Sequence, residues 1–289
     1  MKRLPTIGLA LSGGAARGIA HVGVLRALFE NDISIDYLAG TSAGSIVAGA
    51  LAAGMPLEEI EKLGVNLRWR DVGRMTMSRL GVQSNDRLED YLRSHFPITR
   101  FEDLSIPLAV VATELHSGQP VIMRDSGDIP FAIRASCAIP GWYVPVTDQD
   151  GRQLVDGGLV AVIPSSACRS LGADVVLAVD VNAEGATFFG PPQSVIGVLL
   201  QSMLVVQRTA SRLQTAAADV VITPRVGHIR WDEMGRAKEL IEAGYEAGLA
   251  SIPQINAVIE AAMKAQPRWY QLRRRKKVPA PKDPLSLPT

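Results

Sequence analysis

The chain has 289 residues, of which 47% are hydrophobic and 20% are charged, and its formal net charge is +1. This composition is typical of a globular protein that buries a sizeable core, and no apolar run reaches the length of a membrane-spanning helix. Two cysteines, Cys137 and Cys168, are too few for a disulfide framework. Their small or apolar neighbours predict buried thiols in a reducing compartment.

Short apolar runs rich in β-branched residues alternate with helical patterns along the chain. In chain order, the sequence predicts a strand at 6–11, a helix at 18–30, a strand at 37–39, helices at 45–53 and 86–95, and strands at 108–113, 175–180 and 220–223. Asn85 is in position to cap the helix that follows it. Strands that are almost continuously apolar predict an α/β fold with a mostly parallel central sheet flanked by helices.

The first eleven residues combine two basic residues with an apolar run, as a signal peptide does. Gly13, Gly14 and Arg17 soon interrupt this pattern. A strand that enters a loop explains the segment better, so we expect it to belong to the folded domain.

The C-terminal third has a different character. After residue 223 the pattern is helical through 265, with a break expected at Pro253, and we expect this part to pack on the same core, so that residues 1–266 form one domain. Residues 267–289 contain seven of the 30 basic residues and one of the 29 acidic residues, followed by a proline-rich end. This segment has too little apolar surface to fold alone, and a disordered tail is expected.

A glycine-rich segment, residues 12–18, follows the first predicted strand and opens a helix. A P-loop requires a Lys-Ser or Lys-Thr pair after the last glycine, but Ile19 and Ala20 follow Gly18. A dinucleotide-binding loop requires glycine where this chain has Ala15. An oxyanion hole, in which backbone N–H groups at a helix start stabilise a tetrahedral intermediate, needs the fewest assumptions. A tight glycine turn is the remaining interpretation.

Gly40, Ser42 and Gly44 form a G-x-S-x-G pattern between a predicted strand and a helix. A sharp turn there holds the serine in a strained conformation, which requires small residues two positions away on either side. The positive end of the helix dipole then lies close to the hydroxyl. The pattern predicts Ser42 as a nucleophile, although a small-residue helix start with a capping serine or threonine has a similar sequence.

Asp156 precedes two glycines and follows a short apolar pattern at 153–155. Such a segment is usually a turn. However, a serine nucleophile needs a base, and the four histidines are poorly placed for the usual triad. His21, for example, is expected to pack against the glycine-rich segment or to form a hydrogen bond with it. Asp156 is therefore the candidate base.

These motifs, together with residues 135–141 (Ala-Ser-Cys-Ala-Ile-Pro-Gly), follow the order and spacing of the bacterial patatin-like phospholipases. The chain also resembles the branch related to the catalytic region of neuropathy target esterase, and the resemblance extends from about Leu4 to about Asp180. It implies a three-layer α/β/α fold of the patatin type and hydrolysis of phospholipid or lysophospholipid acyl esters. It also implies a Ser-Asp dyad without histidine, and neither a metal ion nor a cofactor.

By position, the resemblance implies that Ser42 is the nucleophile and Asp156 the base. It implies an oxyanion loop formed by Gly13, Gly14, Ala15, Arg17 and Gly18 and a nucleophile elbow that includes Gly40 and Gly44. Ala15 departs from the pattern, because many relatives have a third glycine there; its N–H can still donate, but its Cβ can narrow the approach. Two other functions stay open: an acyl-transferase or thioesterase that uses the same serine, and a non-catalytic regulatory module.

Residues 66–83 mix four arginines with Trp69, Met75, Met77 and Leu80. Arginines suit lipid head groups and the other side chains suit the acyl layer, so this segment is a candidate membrane-facing flap; a surface connection with inward apolar residues is the alternative. The expected partners are a lipid ester and an anionic membrane surface, but not nucleic acid, for which no reader motif is present. We expect a cytoplasmic protein, peripheral to the inner face of the membrane, and the sequence leaves the oligomeric state open.

Overall fold

The computed structural model describes residues 3–183, 192 and 194–265. The strands of this part are β1 (Ile7–Leu11), β2 (Tyr37–Thr41), β3 (Arg74–Met75), β4 (Gly81–Ser84), β5 (Leu108–Glu114), β6 (Pro120–Met123), β7 (Gly141–Tyr143), β8 (Val146–Thr147), β9 (Gln153–Asp156), β10 (Val175–Val179) and β11 (Val220–Ile222). Its α-helices are α1 (Ala20–Glu30), α2 (Ala43–Ala52), α3 (Leu57–Asn66), α4 (Trp69–Val72), α5 (Asp86–His95), α6 (Ile129–Ser136), α7 (Ser165–Ser170), α8 (Val195–Gln214) and α9 (Ala237–Ala265).

The central sheet has the strand order β11-β10-β1-β2-β5-β9-β8. The first five strands in this order are parallel, whereas β9 and β8 are antiparallel to their neighbours, and β6 pairs with β5 in the antiparallel sense. The predicted mostly parallel sheet is therefore confirmed. The carboxyl ends of parallel strands lie at one edge of the sheet, so the segments that follow β1 and β2 meet there.

Helices cover both faces of the sheet. Because successive residues of a strand point to opposite faces, Leu9 and Leu38 pack in the core beneath α1, α2 and α9. Their neighbours Ala10 and Ala39 pack in a second cluster against α7. The large residues on one face and the small ones on the other place α7 close to the sheet, and the result is a three-layer α/β/α architecture.

The predicted bounds of the early helices agree closely with the structure. A short 3-10 helix, Ala15–Ile19, leads into α1, and α5 has the predicted bounds. Asn85 is at the N-cap position of α5, but its side-chain amide donates to the carbonyl of Arg134 and makes no cap hydrogen bond. The side chain thus ties α5 to the end of α6.

Two predictions about the C-terminal part were wrong. Residues 224–236 are not part of a long helix, since only the short 3-10 helix Met234–Arg236 forms before α9 begins. Pro253 does not break α9, which continues through it. Pro253 and Leu249, whose carbonyl loses its helical partner, are both exposed, so water can satisfy that carbonyl.

Helix α8 was not predicted, and it is 20 residues long. Its C-terminal end is fastened by Gln214, whose amide nitrogen donates to the carbonyl of Val160 and whose amide oxygen accepts from the Ile163 N–H. This end of α8 is therefore fixed to the chain segment that follows β9. None of the helices in the described part of the chain is both long enough and apolar enough to cross a bilayer.

A second, three-stranded sheet has the order β3-β4-β7. Strands β3 and β4 and the connection between them form the second half of the segment predicted as a flap. Trp69 packs inward, since its indole N–H donates to the carbonyl of Asp232 and its ring contacts Trp231 edge-to-face. Met77, between β3 and β4, is fully exposed at 101%. The predicted tail, residues 267–289, lies outside the described residues.

Candidate active site

Ser42 lies in a sharp turn between β2 and α2 and has the backbone angles φ 51° and ψ −127°. A non-glycine residue in this region of backbone angles is strained, and the close packing of the surrounding backbone holds the turn in this conformation. A Cβ on Gly44 would collide with the carbonyl oxygens of Leu11 and Ser12 at the end of β1. A Cβ on Gly40 would collide with the backbone of Ser45. The two glycines thus allow the turn to pack tightly against the sheet and to present the Ser42 hydroxyl.

Asp156 ends β9 and is 3% exposed. The Ser42 hydroxyl donates to Asp156 Oδ2 at 2.6 Å, and the Gly158 N–H donates to the other carboxylate oxygen at 2.7 Å. The hydroxyl of Thr113, on β5, donates to the Asp156 carbonyl and fixes the backbone at this point. Two residues separated by 114 positions in the sequence are therefore in direct contact.

Burial has the largest effect on the Asp156 carboxyl group. It raises the pKa of Asp156 from 3.8 to about 6, and the hydrogen bonds from Ser42 and Gly158 oppose this increase. A carboxylate with a raised pKa is a stronger base than an exposed aspartate, yet it is still ionised at neutral pH. The group can therefore accept a proton from the hydroxyl that it contacts.

Ser136, at the end of α6, holds the turn in place. Its hydroxyl accepts the Ser42 N–H at 2.8 Å and donates to the Val111 carbonyl of β5 at 2.6 Å. Sequence reasoning did not assign this role. The available signal was the position of Ser136 inside the small-residue block at 135–141, which says nothing about its partners.

The glycine-rich segment lies across from Ser42. The Gly13 N–H donates to the Val162 carbonyl at 3.0 Å and is therefore occupied. The N–H groups of Gly14 and Ala15 have no hydrogen-bond partner within the described residues. Both residues line a cavity together with Ser42. Ala15 has a φ of 49°, so the alanine occupies a left-handed conformation that favours glycine.

Arg17 is 1% exposed and points toward the chain segment before α9. Its Nε donates to the Ile229 carbonyl at 2.7 Å, and one terminal nitrogen has no partner within the described residues. Burial lowers its pKa, while the charge of Glu233 opposes that change. The hydrogen bond to the Ile229 carbonyl ties the glycine-rich segment to the chain between β11 and α9. Gly18 packs directly against Ala43, which brings the 3-10 helix against the start of α2.

His21 lies beneath the glycine-rich segment, as expected. Its Nε2 donates to the Ser12 carbonyl at 2.9 Å, and burial lowers its pKa to about 4, so the ring is neutral at pH 7. Cys137 and Cys168 are both buried, as predicted. Burial raises the pKa of each thiol, to about 12 for Cys168, and neither is a reactive thiolate near neutral pH.

Two cavities meet at Ser42. The first, of about 90 Å³, extends beneath α3 and α5 and is bounded almost wholly by apolar side chains, among them Ile46, Leu63 and Leu88. The second, of about 60 Å³, contains Asp156 and the glycine-rich segment, and α8 forms its cover. The nucleophile therefore lies between an apolar cavity and a more polar one.

No cluster of His, Cys, Asp or Glu side chains that could hold a metal ion is present within the described ranges. The chemistry available at this site is that of a hydroxyl, a carboxylate and free backbone amides. Such a set can attack a carbonyl carbon, transfer a proton and stabilise an oxyanion.

Comparison with known proteins gives consistent matches. Residues 9–168 match the family model described as patatin-like phospholipase. An uncharacterised NTE family protein of Mycobacterium tuberculosis (strain ATCC 25618 / H37Rv) is 37% identical over 185 residues, which cover 63% of this chain and 51% of that protein. Human patatin-like phospholipase domain-containing protein 6 is 32% identical over 194 residues, which cover 63% of this chain and 14% of that protein. The chain thus spans about half the length of the mycobacterial relative and a smaller part of the human one.

Among solved structures, the crystal structure of VipD from Legionella pneumophila superposes with a TM-score of 0.60 at 15% identity. The superposition covers 88% of this chain and 67% of that one. At this identity, the likeness concerns the fold alone.

Proposed function

The chain belongs to the patatin-like phospholipase family, and we propose that it is a serine acyl-hydrolase that cleaves the acyl esters of phospholipids or lysophospholipids. The observation that carries this proposal is the 2.6 Å hydrogen bond from the Ser42 hydroxyl to the buried Asp156 carboxylate, beside two backbone amides that have no partner among the described residues. Hydroxyl, base and oxyanion donors are the parts that an acyl transfer reaction needs.

In the first half of the reaction, Ser42 Oγ attacks the ester carbonyl carbon and its proton passes to Asp156 Oδ2. The N–H groups of Gly14 and Ala15 donate to the oxyanion, and the positive end of the α2 dipole adds to its stabilisation. The bond to the alcohol then breaks, and the departing oxygen takes the proton from Asp156. An acyl group remains on Ser42.

In the second half, water replaces the alcohol. Asp156 accepts a proton from the water as its oxygen attacks the acyl carbon, and the tetrahedral intermediate forms again at the same amides. Collapse of the intermediate releases the fatty acid, and Ser42 Oγ recovers its proton from Asp156. Because no histidine lies in the dyad, the whole proton transfer depends on the raised pKa of one carboxyl group.

We assign the acyl chain to the apolar cavity beneath α3 and α5, and the alcohol part to the cavity beneath α8. The first cavity offers apolar side chains for a hydrocarbon. Arg17 lines the second, and the terminal guanidinium nitrogen that has no partner in the described part of the chain suits the negative charge of a phosphodiester. Gly13 then has a positioning role, since its N–H is engaged by Val162.

Labelling with a fluorophosphonate probe tests the proposal directly. Wild type is expected to react at Ser42, whereas Ser42→Ala is not, and Asp156→Asn is expected to react at least about 100-fold more slowly because the base is lost. Ser166→Ala is the matched control, since Ser166 is an exposed serine on α7. Circular dichroism establishes that each variant is folded. Labelling that survives in Ser42→Ala would remove the assignment.

The acyl cavity gives a second test. Gly64 lines it, and a Cβ at this position meets only Ile19, at an ordinary distance of 3.6 Å. We expect Gly64→Leu to lower kcat/KM for long acyl chains at least about tenfold and to spare acetyl esters, because the added side chain fills the far part of the cavity. Gly64→Ala is the control and is expected to keep the wild-type preference. Product analysis with an added alcohol separates hydrolysis from acyl transfer, since only transfer yields a new ester.

A further inference from the structure

Helix α8 is rich in apolar residues but lies at the surface. Residues 195–214 contain no aspartate or glutamate, and their basic residues, Arg208 and Arg212, lie in the last two turns. A helix of this composition is normally buried within a protein or in contact with lipid. Among the residues of α8 whose side chains are described, Ser211 alone is buried.

One side of α8 faces the candidate active site. Leu200, Met203, Leu204 and Gln207 recur at helical spacing and line the cavity that contains Ser42. A Cβ on Gly158, next to the dyad, would lie only 2.6 Å from the Gln207 amide nitrogen. The inner side of α8 is therefore the cover of the catalytic cavity.

The opposite side of α8 is exposed. Val195, Val198, Leu199, Val205, Val206 and Leu213 are between 48% and 78% exposed. We call these six residues the outer face. Single exposed apolar residues are common, but six along one side of a helix, with only Ser202 and Thr209 between them, are of the kind that marks an interaction site.

The outer face is close to a second exposed apolar element. Helix α8 contacts β7, and β7 pairs with β4, which is joined to β3 by residues 76–80. Met77 and Leu80 in this connection are 101% and 56% exposed. Two apolar projections thus flank the same part of the molecule.

The charged residues near the outer face indicate which kind of partner it contacts. Arg208 is exposed and makes no ion pair within the described residues, and the outer face contributes no carboxylate that would oppose an anion. The connection after β3 adds Arg79, whose side chain is likewise without an ion pair in the described part. Apolar side chains flanked by arginines that form no ion pair within the described residues match the acyl layer and the phosphates of a bilayer surface, although Arg208 also shares a cavity with the buried Asp180.

We propose that the outer face of α8, together with the connection between β3 and β4, docks on the surface of an anionic lipid bilayer and holds the mouth of the catalytic cavity against the membrane. This inference rests on the proposed function, because the bilayer supplies the ester. The helix lies in the plane of the interface, and its inner side stays over Ser42. Docking then lets a lipid pass from the bilayer to the nucleophile beside α8 without crossing water.

Flotation with vesicles tests the docking separately from the chemistry. The protein is the full chain with Ser42→Ala, which hydrolyses no lipid during the assay. Vesicles are phosphatidylcholine alone, or phosphatidylcholine and phosphatidylglycerol in equal parts. Adding Leu199→Asp and Val206→Asp is expected to weaken the partition coefficient at least about tenfold, because two apolar side chains leave the acyl layer. Arg208→Gln is expected to lower the preference for the anionic vesicles about fivefold.

The matched control is Leu4→Asp with Leu249→Asp, which charges two exposed apolar residues away from α8 and is expected to leave partition unchanged. The same two substitutions, Leu199→Asp and Val206→Asp, are also made in the protein that keeps Ser42. This double variant is expected to hydrolyse a short soluble ester within about twofold of the wild-type rate, since neither residue lines the cavity.

Three results would overturn the proposal. The first is vesicle binding that the outer-face substitutions do not change. The second is a dimer, seen by sedimentation without lipid, that these substitutions dissociate, because the occupant would then be a second copy. The third is binding that requires deletion of residues 266–289, because the outer face would then be covered by the chain itself. A protein that binds vesicles but hydrolyses no ester would refute the proposed function and leave the docking intact.

Discussion

Replacing Asp156 with asparagine is expected to abolish hydrolysis and, near neutral pH, to reduce the penalty of burying a charge. The wild-type carboxyl group is buried, and its pKa rises from 3.8 to about 6. The folded protein therefore keeps a proton on Asp156 up to about pH 6, whereas the unfolded chain releases it near 3.8. Between these values the folded state binds more protons, so stability decreases as pH rises through this window.

The size of this effect follows from the pKa values. Each pKa unit corresponds to about 1.4 kcal/mol, so the increase from 3.8 to about 6 makes the ionised group destabilising by about 3 kcal/mol above pH 7. Asparagine does not titrate, and it loses one of the two hydrogen bonds from Ser42 and Gly158, which costs about 1 kcal/mol or more at every pH. Therefore only the part of the difference in unfolding free energy between wild type and Asp156→Asn that changes with pH reports the ionisation of Asp156.

Urea unfolding of wild type and Asp156→Asn at several pH values measures this quantity. From about pH 4 to about pH 7.5, the wild type is expected to lose roughly 2.5 kcal/mol relative to the variant. Asp125→Asn, at an exposed carboxylate, controls for the introduction of an amide. If the unfolding free energies of wild type and Asp156→Asn differ by the same amount at every pH, the carboxyl group is not shifted and the reasoning fails.

The pH dependence of the hydrolysis rate reports the ionisation of the same carboxyl group, that of Asp156. Because the base must be ionised to accept the Ser42 proton, kcat/KM for a soluble ester is expected to fall about tenfold for each pH unit below about 6. Acid therefore stabilises the fold relative to Asp156→Asn while it inactivates the site. Equal rates at pH 5 and pH 7.5, in a protein that circular dichroism reports as folded, would contradict the assignment of Asp156 as the base.

Three further predictions concern the packing around the turn. Gly44→Ala is expected to destabilise the protein by more than about 3 kcal/mol in urea unfolding, because its Cβ would collide with backbone carbonyls, whereas Gly235→Ala, in open space, is expected to be neutral. Ser136→Ala is expected to cost about 1–3 kcal/mol and to lower kcat, because the Ser42 N–H loses its acceptor; unchanged kcat would show that this contact does not position the turn. Cys137 is expected to resist thiol reagents until urea unfolds the protein, and rapid labelling of the native state would refute its burial.

The parts of the fold that the sequence predicted are those fixed by local chemistry. Apolar β-branched runs marked the parallel strands, and glycines at turns marked where they end. Helix α8 was not predicted, although its apolar residues recur at helical spacing. The predicted break at Pro253 was wrong because the sequence alone does not show the surroundings of this residue. Its effect depends on whether water reaches the carbonyl at Leu249, which is a property of the folded surface and not of the local sequence.

In the candidate site, too, the local sequence identifies some residues, whereas the roles of others depend on distant partners. Ser42 and Asp156 stand out because each adjoins glycines in a strand-and-turn context, and the structure brings their side chains together. The role of Ser136 depends on backbone partners 94 and 25 positions away, which no local pattern encodes. The occupied N–H of Gly13 is similar, since its acceptor belongs to Val162. The catalytic use of these residues stays a prediction that labelling and kinetics will decide.

The position of β5 has a consequence for how hydrolytic capacity arises. Strand β2, which leads to Ser42, and strand β9, which ends at Asp156, pair with the same edge of β5 at consecutive positions, Thr41 with Val111 and Asp156 with Ala112, while β6 occupies the other edge. A polypeptide still emerging from the ribosome, or one whose sheet has opened at β5, holds its hydroxyl and its carboxylate apart. Under the proposed mechanism such a chain has no assembled dyad, so esterase activity would report a completed sheet.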